Sequence, residues 1–301
     1  MTTLIASSIA LIGLAVAMSS SPEAAPAQNA ASPVRIEATA AALAQAMANR
    51  RVVLLGEVHD NAAQHALRIA ALKRLVASGR RPALAFEQFD RERQHDIDRA
   101  RRERPRDPDY LIATAGDDTG WDWNFYRPYV KLALDHNLPI VAANLSRRDA
   151  MRVAGEGWPA VFDAVSIREL GLATLPAELR QEQERAIAIG HCNLLPPDAL
   201  LPRVRAQTAR DIVMARAIAG YGARGVVLLA GNGHVRRDIG VPAWLAPEER
   251  RHAVSIGLLE AGDGATVPPA GRFDFFAVTE AEQRDDPCKA LARRNAPDAV
   301  R

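Results

Sequence analysis

Two stretches of the sequence decide the fold: residues 52–59, VVLLGEVH, and residues 226–234, VVLLAGNGH. Each begins with a run of aliphatic, partly β-branched residues that predicts a buried strand, and each continues into the pattern Gly-x-x-His. Glycine directly after a strand lets the backbone turn tightly, so that the histidine of the pattern points back over the edge of a sheet. The two stretches therefore predict two strands that each deliver a histidine to a sheet edge.

Helix and strand patterns alternate along most of the remaining chain. Further strands are predicted at residues 82–87, 138–144, 252–260 and 272–279, and helices at residues 37–50, 61–76, 124–137 and 177–189. This alternation is typical of an α/β fold with a mostly parallel sheet flanked by helices. Residues 147–221 contain no predicted strand, and we interpret them as a helical insertion or cap.

The N-terminal segment, residues 1–27, predicts a signal peptide. Its apolar run at residues 4–18 is too short to span a membrane and is followed by Ala25-Pro26-Ala27, an A-x-A cleavage pattern. The usual basic residues are missing, so an uncleaved anchor or a disordered apolar tail stays open. No cysteine lies near the cleavage pattern to accept a lipid, and no later segment predicts a membrane span. The protein is expected to be exported, periplasmic or envelope-associated.

The predicted organisation after cleavage has three parts. Residues 28–50 form an N-terminal linker and helix, residues 51–288 the α/β domain, and residues 289–301 a C-terminal tail. The whole chain of 301 residues has 38 basic and 36 acidic side chains, a formal net charge of +2. Because the two signs are interspersed, the composition gives no reason to expect nucleic-acid binding.

The predicted export bears on the state of the two cysteines, Cys192 and Cys288. In an oxidising compartment an even pair favours a disulfide, whose loop of roughly 100 residues would be worth about 4.7 kcal/mol in the chain-entropy model. Two unrelated buried thiols are the alternative.

Polar residues stand at the ends of four predicted strands. His59, Glu87, Asn144 and His234 each follow or close such a strand. Ligands of parallel α/β sheets bind at the carboxyl ends of the strands, so we interpret these four residues as the rim of a site. Each could instead be structural; Asn144, for example, could begin the next helix as its N-cap.

Several familiar catalytic motifs are absent from the sequence. There is no G-x-S-x-G nucleophile elbow, no H-E-x-x-H zinc helix, no phosphate-binding P-loop and no C-x-x-C pair. Gly231-Asn232-Gly233 begins like a dinucleotide-binding loop, but Arg236 occupies the place of the third glycine.

A series of motifs nevertheless resembles one known family. In chain order they are LLGEVHDNAAQH, FEQF, WDWNFYRPY, IVAANLSRRDA, HCNLLP, AQTARDIVMA, GNGHVRRDIGVP and DPC, and they extend from about Arg51 to Cys288. At these residues the chain is similar to the ChaN family of haem-binding uptake proteins, within the Tiki superfamily. The resemblance implies an exported α/β protein tied to iron acquisition, which binds haem between the subunits of a homodimer.

The resemblance also implies site residues. The family's haem ligand is similar in type to a tyrosine phenolate, and an anionic oxygen suits ferric iron. Tyr126 matches the family segment best, although it could also be a packing residue. His59, His234 and Arg147 are the other expected haem contacts, with Arg147 placed to pair with a propionate. The remaining expected rim residues are Gly56, His65, Asn144, His191, Gly231 and Asn232.

The same superfamily contains hydrolases, which supply an alternative function. In that case Glu57, His59, Glu87 and His234 are the candidate catalytic residues of a metal-dependent hydrolase. His59, Glu87 and His234 would then hold a divalent metal or act as general acid and base. A scaffold with a vestigial site is a third alternative.

The signal peptide gives the first testable prediction. If cleavage follows Ala27, intact-mass measurement of the protein purified from its native envelope gives an N-terminus near Gln28. Recovery of the full-length chain from the cytoplasm would contradict export.

Overall fold

The centre of the protein is a parallel sheet. The structure, a computed structural model, describes residues 32–116, 120–221, 223–262, 267–286, 288–289 and 291–292. Its strands are β1 (Val34–Arg35), β2 (Val52–Leu55), β3 (Ala83–Asp90), β4 (Ile140–Asn144), β5 (Val226–Leu229), β6 (Ala253–Glu260) and β7 (Phe275–Thr279). They form one seven-stranded sheet in the order β1-β7-β6-β2-β5-β3-β4, in which neighbours pair in parallel. The predicted α/β fold is confirmed.

Helices cover both faces of this sheet. They are α1 (Ala40–Met47), α2 (Ala62–Ala77), α3 (Gln94–Glu103), α4 (Pro108–Ala115), α5 (Trp123–Asp135), α6 (Arg147–Glu156), α7 (Ala164–Glu169), α8 (Ala177–Gly190), α9 (Leu200–Ala219), α10 (Asn232–Val235), α11 (Val241–Trp244) and α12 (Pro247–Arg251). Within the described part of the chain, none of these helices combines the length and the apolar character that a membrane crossing requires.

The two Gly-x-x-His stretches lie on neighbouring strands. β2 and β5 pair in register, with Val52 opposite Val226 and Leu55 opposite Leu229. β3 lies on the other side of β5 and β4 follows at the edge. The four strands whose ends carry the candidate site residues are therefore contiguous, and their carboxyl ends meet along one edge of the sheet.

Alternate residues of each central strand face different clusters of buried side chains. Val53 and Leu55 of β2 belong to a cluster that includes residues of α1 to α5. Val52 and Leu54 belong to a second cluster, with residues of α9. This double burial explains why the central strands read as continuous apolar runs instead of alternating with polar residues.

The predicted cap region is helical, but its last helix also belongs to the sheet layer. Ala209 and Ile212 in α9 pack in a cluster with Phe162 and residues of α6. Met214 and Ile218, nearer the end of α9, pack instead in the cluster on the sheet face. The region is thus continuous with the sheet layer.

Two local features differ from the sequence-based expectations. The strand predicted to close at Glu87 continues to Asp90, and its pairing with β4 shifts register between Phe86 and Asp90. Such a bulge re-aims the side chains within it, so Glu87 lies in an irregular stretch of the strand. The edge strand β1, only two residues long, was not predicted because it is too short to show a period.

The C-terminal segment is attached to the domain at two points. Cys192, just after α8, is joined to Cys288 by a disulfide. Arg284 forms ion pairs with Asp60 and Glu260, which follow β2 and close β6. The predicted signal peptide lies outside the described residues, as does most of the expected C-terminal tail.

Two glycines allow β2 and β5 to approach where their motifs begin. A Cβ on Gly56 would lie 2.3 Å from Asn232 Oδ1 and 2.8 Å from Val235. A Cβ on Gly231 would lie 2.8 Å from His59 Cε1 and 2.9 Å from its Nε2. Each motif therefore provides the space that a polar side chain of the other motif occupies.

This packing predicts that Gly56→Ala destabilises the fold. The added methyl group meets the Asn232 amide at 2.3 Å, and overpacking of this kind costs about 1–3 kcal/mol. Urea denaturation followed by circular dichroism measures the change. Gly155→Ala, on α6, is the matched control, because nothing lies within 4 Å of its added Cβ. Equal stability of the two variants would contradict the proposed fit.

Candidate functional site

A cleft of about 440 Å³ opens at the carboxyl ends of the central strands. Its volume lies in the range of small-molecule sites. Aromatic, acidic, basic and imidazole side chains contribute to its surface, which is lined by His59, Asp60, Asp90, Gly120, Trp121, Asp122, Phe125, Tyr126, Asn144, Arg147 and Arg210.

The buried carboxylate of Glu57 organises one wall of this cleft. Its Oε2 forms an ion pair with Arg68, and both side chains are fully buried. Its Oε1 accepts a hydrogen bond from the Tyr126 hydroxyl, at 2.7 Å, and lies 3.0 Å from His59 Nδ1. Arg68 also donates to the Leu55 carbonyl, at 3.0 Å, and so ties the pair to the end of β2.

His59 is the histidine that reaches the cleft. Its side chain is 47% exposed, and the Trp121 ring meets it edge to face at 4.9 Å. Because carboxylate oxygens only accept, the neutral ring carries its proton on Nδ1, toward Glu57, and keeps a lone pair on Nε2. The ring packs against Gly231, whose lack of a side chain leaves room for it. His59 is therefore a candidate ligand or base.

His234 has the opposite environment. It is buried, with Nδ1 2.6 Å from Asp211 Oδ1 and Nε2 3.3 Å from Glu87 Oε1. Burial alone would lower the pKa of His234, but the carboxylates of Glu87 and Asp211 raise it to about 10. At neutral pH His234 is thus a fixed cation with both ring nitrogens engaged.

The two carboxylates beside His234 are themselves perturbed. Burial raises the pKa of Asp211 to about 6, even though the His234 cation opposes this shift. For Glu87, burial is outweighed by His234, which holds the pKa well below its usual range. Glu87 Oε2 also accepts a hydrogen bond from the Gly231 backbone, at 2.7 Å, so this carboxylate connects the ends of β3 and β5.

Basic side chains lie on another side of the cleft. Arg210, on α9, donates to Asn144 Oδ1 at 2.9 Å and to the Leu145 carbonyl at 3.0 Å. Arg147 is exposed at the start of α6. Both guanidinium groups line the cleft and are suited to an anionic ligand.

Three of the expected rim residues do not line the cleft and are held by contacts within the fold. Asn232 accepts from the Leu258 backbone at 3.1 Å and so links α10 to β6. His65 stacks on Phe125, and burial lowers its pKa. His191 ends α8, with Nδ1 2.8 Å from the Ile187 carbonyl, and it is not one of the described residues that line the cleft.

The structure does not present Tyr126 as a free phenolate. The side chain is 1% exposed, and its hydroxyl donates to Glu57. Burial raises the pKa of Tyr126 further above its ordinary value, so the neutral phenol is favoured. Ligation of iron by Tyr126 would require the Glu57 hydrogen bond to break.

The alternative metal set is not assembled either. Among the described residues, no group of three or more His, Cys, Asp or Glu side chains has the arrangement that a metal ion needs. In the structure both ring nitrogens of His234 lie beside carboxylate oxygens, Nδ1 beside Asp211 and Nε2 beside Glu87. The assignment of His59, Glu87 and His234 to a metal in the hydrolase alternative stays a prediction.

Two residues of the site were missed in the sequence. Arg68 and Asp211 are each fully buried and each pairs with a predicted site residue. A signal was present, because both stand on the apolar face of a helix: Arg68 one turn before Leu72, and Asp211 beside Ile212. A lone charge on such a face indicates a buried partner.

The environment of His234 gives a prediction about pH. Its folded-state pKa is raised from 6.5 to about 10, so its stabilising contribution is fully present below pH 6.5 and is lost as the pH rises through about 10. NMR of histidine-labelled protein follows the titration directly. Glu87→Gln removes one carboxylate and is expected to lower the pKa of His234, whereas Glu92→Gln, on the surface, leaves it unchanged. Titration of the His234 imidazole near pH 6.5 in the wild type would contradict this arrangement.

Comparison with known proteins gives one match by family. The model of the family described as "Haem-binding uptake, Tiki superfamily, ChaN" matches residues 43–245, about two thirds of the chain. No curated protein matches. The family resemblance noted in the sequence is confirmed.

Similarity to a solved ChaN structure supports the fold. "Cofacial heme binding to ChaN of Campylobacter jejuni" matches with a TM-score of 0.61 and 21% identity, over 78% of this chain and 89% of that one. A mutant erythromycin esterase in its open conformation matches with a TM-score of 0.43 and 14% identity, over 76% of each chain. The type III effector HopBA1 matches with a TM-score of 0.45 and 13% identity, over 85% of this chain and 99% of that one. The chain belongs to the ChaN family of haem-binding uptake proteins in the Tiki superfamily.

Proposed function

We propose that this protein is an exported haem-binding protein that serves haem or iron uptake, and that the cleft at the strand ends is its haem site. The observation that carries the proposal is His59, a half-exposed imidazole that lines the cleft and is held by a buried carboxylate. Membership of the haem-binding family supports it.

The residues of the cleft suit a haem chemically. Trp121 and Phe125 are flat aromatic side chains that can pack against a porphyrin face. Arg147 and Arg210 can pair with the carboxylates of the propionates. The cleft thus combines an apolar surface, a nitrogen ligand and cations, which are the three components that an amphipathic, iron-containing dicarboxylate requires.

We infer that His59, through Nε2, is the iron ligand in this chain. Imidazole is a common axial ligand of haem iron, and a carboxylate on the other ring nitrogen fixes the tautomer and increases the basicity of the ligand. Tyr126, the ligand implied by the family resemblance, donates its hydroxyl to the same carboxylate. In our proposal Tyr126 is a positioning residue that holds Glu57 for His59.

A titration with ferric haem, followed by absorption spectroscopy, tests the function and the ligand together. The wild type is expected to bind haem saturably, with the spectrum of nitrogen ligation. His59→Ala removes the ligand and is expected to weaken binding by about tenfold or more, which corresponds to about 1.4 kcal/mol. Tyr126→Phe keeps the ring packing and is expected to leave the spectrum of nitrogen ligation.

His252→Ala is the matched control for this titration. His252 is also partly exposed and also lies beside a carboxylate, that of Glu248, but it does not line the cleft. If Tyr126→Phe loses the wild-type haem spectrum while His59→Ala changes it little, the iron ligand is Tyr126 and not His59. A wild type without saturable haem binding would overturn the proposed function.

The homodimer and the location are parts of the same proposal. Light scattering with and without haem measures whether the ligand brings two copies together. Metal analysis of the purified protein addresses the hydrolase alternative, because stoichiometric metal in a protein that fails to bind haem would favour that function.

A further inference from the structure

A second cavity, larger than the cleft, lies along the free edge of the sheet. It measures about 700 Å³ and is bounded by α3, the edge strand β4 and α9. Its lining shares no residue with the cleft among the described parts of the chain. A ligand of this cavity would therefore occupy a separate site.

The edge strand does not offer its backbone to this cavity for strand pairing. Gln94, on α3, accepts from the Ala142 N–H at 2.8 Å and donates to the Ile140 carbonyl at 3.1 Å. The side-chain amide takes the place that the peptide group of an added strand would occupy. A peptide that extends the sheet is thus not the fitting occupant, and recognition must come from the side chains.

The floor of the cavity is apolar. Pro139, Ile140 and Val141 contribute from the edge strand and the residue before it, and Val213 and Ala217 contribute from α9. This surface can take up a hydrocarbon or aromatic body by removing it from water.

Two guanidinium groups border this floor and have neutral hydrogen-bond partners. Arg101 is half-buried and donates to the Leu138 carbonyl, at 2.6 Å, and to Asn137 Oδ1, at 3.1 Å. Arg216 donates to the Ser166 hydroxyl, at 2.9 Å, and lies over the Phe162 ring. Within the described residues, neither forms an ion pair of the kind that Arg91, also in the lining, makes with Glu92 and Asp149.

These charges suit an anion. Arginine stays protonated at any physiological pH, so the half-buried Arg101, against neutral partners, has its charge only partly compensated, whereas Arg216 is exposed and supplies a second cation beside the floor. Asp98 is the carboxylate of the lining; its side chain accepts from Gln94, and its charge also acts on Arg101, which it compensates in part. A carboxylate or phosphate at the floor's edge would receive charge-assisted, bidentate hydrogen bonds.

We propose that this cavity binds an amphipathic organic anion, with an apolar body on the floor and a single carboxylate, sulfonate or phosphate head at Arg101 and Arg216. The proposal is independent of haem binding, because it uses different residues and a different part of the sheet.

Calorimetric titration with decanoate, below its micelle-forming concentration, tests the proposal. Decanoate is expected to bind saturably, whereas decanol, which has the same body without the charge, and acetate, which has the head alone, bind at least about tenfold more weakly. The double variant Arg101→Gln/Arg216→Gln is expected to lose about tenfold or more in decanoate affinity. Arg102→Gln, also on α3 but outside the lining, is the matched control.

A second variant tests the floor without changing charge. Ala217→Leu fills part of the cavity and is expected to weaken decanoate binding while both arginines remain. The haem titration is expected to be unchanged in all of these variants, which separates this site from the cleft, and a cooperative thermal unfolding transition shows that each variant is folded. Absence of saturable decanoate binding by the wild type, equal affinity for decanol, or unchanged affinity in the double variant would each overturn the proposal.

Discussion

The buried ion pair between Glu57 and Arg68 is the interaction on which the arrangement of the cleft depends. Both side chains are removed from water, and removing one partner of such a pair typically costs about 3–5 kcal/mol because the other charge is left uncompensated. Glu57 directly follows the turn at the end of β2, and Arg68 is on the inner face of α2. The pair therefore holds the end of β2 against α2 and orients the Glu57 carboxylate toward His59 and Tyr126.

The two Gly-x-x-His motifs are alike in sequence and different in electrostatics. His59 has one carboxylate neighbour on Nδ1 and remains half-exposed, whereas His234 lies between two carboxylates and is buried. His59 remains available as a ligand or base, and His234 supplies a fixed positive charge that holds Glu87 and Asp211 in place. Burial and the number of carboxylates, not the motif itself, assign these roles.

Much of the fold could be predicted from the sequence, and the site only in part. The apolar runs of β2 and β5 marked two buried strands, and the similarity of their motifs indicated that both histidines belong to one edge. The bulge in β3 could not be predicted, because it depends on how the strand meets β4 and not on a pattern of residues. Arg68 and Asp211 escaped notice because a single charge in a helix resembles a surface residue until its partner, more than ten positions away in each case, is brought beside it.

The mutual fit of the glycines has a consequence for how the protein can vary. Gly56 leaves room for Asn232, and Gly231 leaves room for His59, so each glycine packs against a side chain of the other motif. Energetic effects of substitutions in such contacting pairs do not add. A larger residue at position 231 meets the His59 ring, whereas one at position 56 meets Asn232, Val235 and the backbone of Ile256, so a change at position 232 alone does not make room for it. The effects of substitutions in these two segments, distant along the chain, are therefore expected to depend on each other.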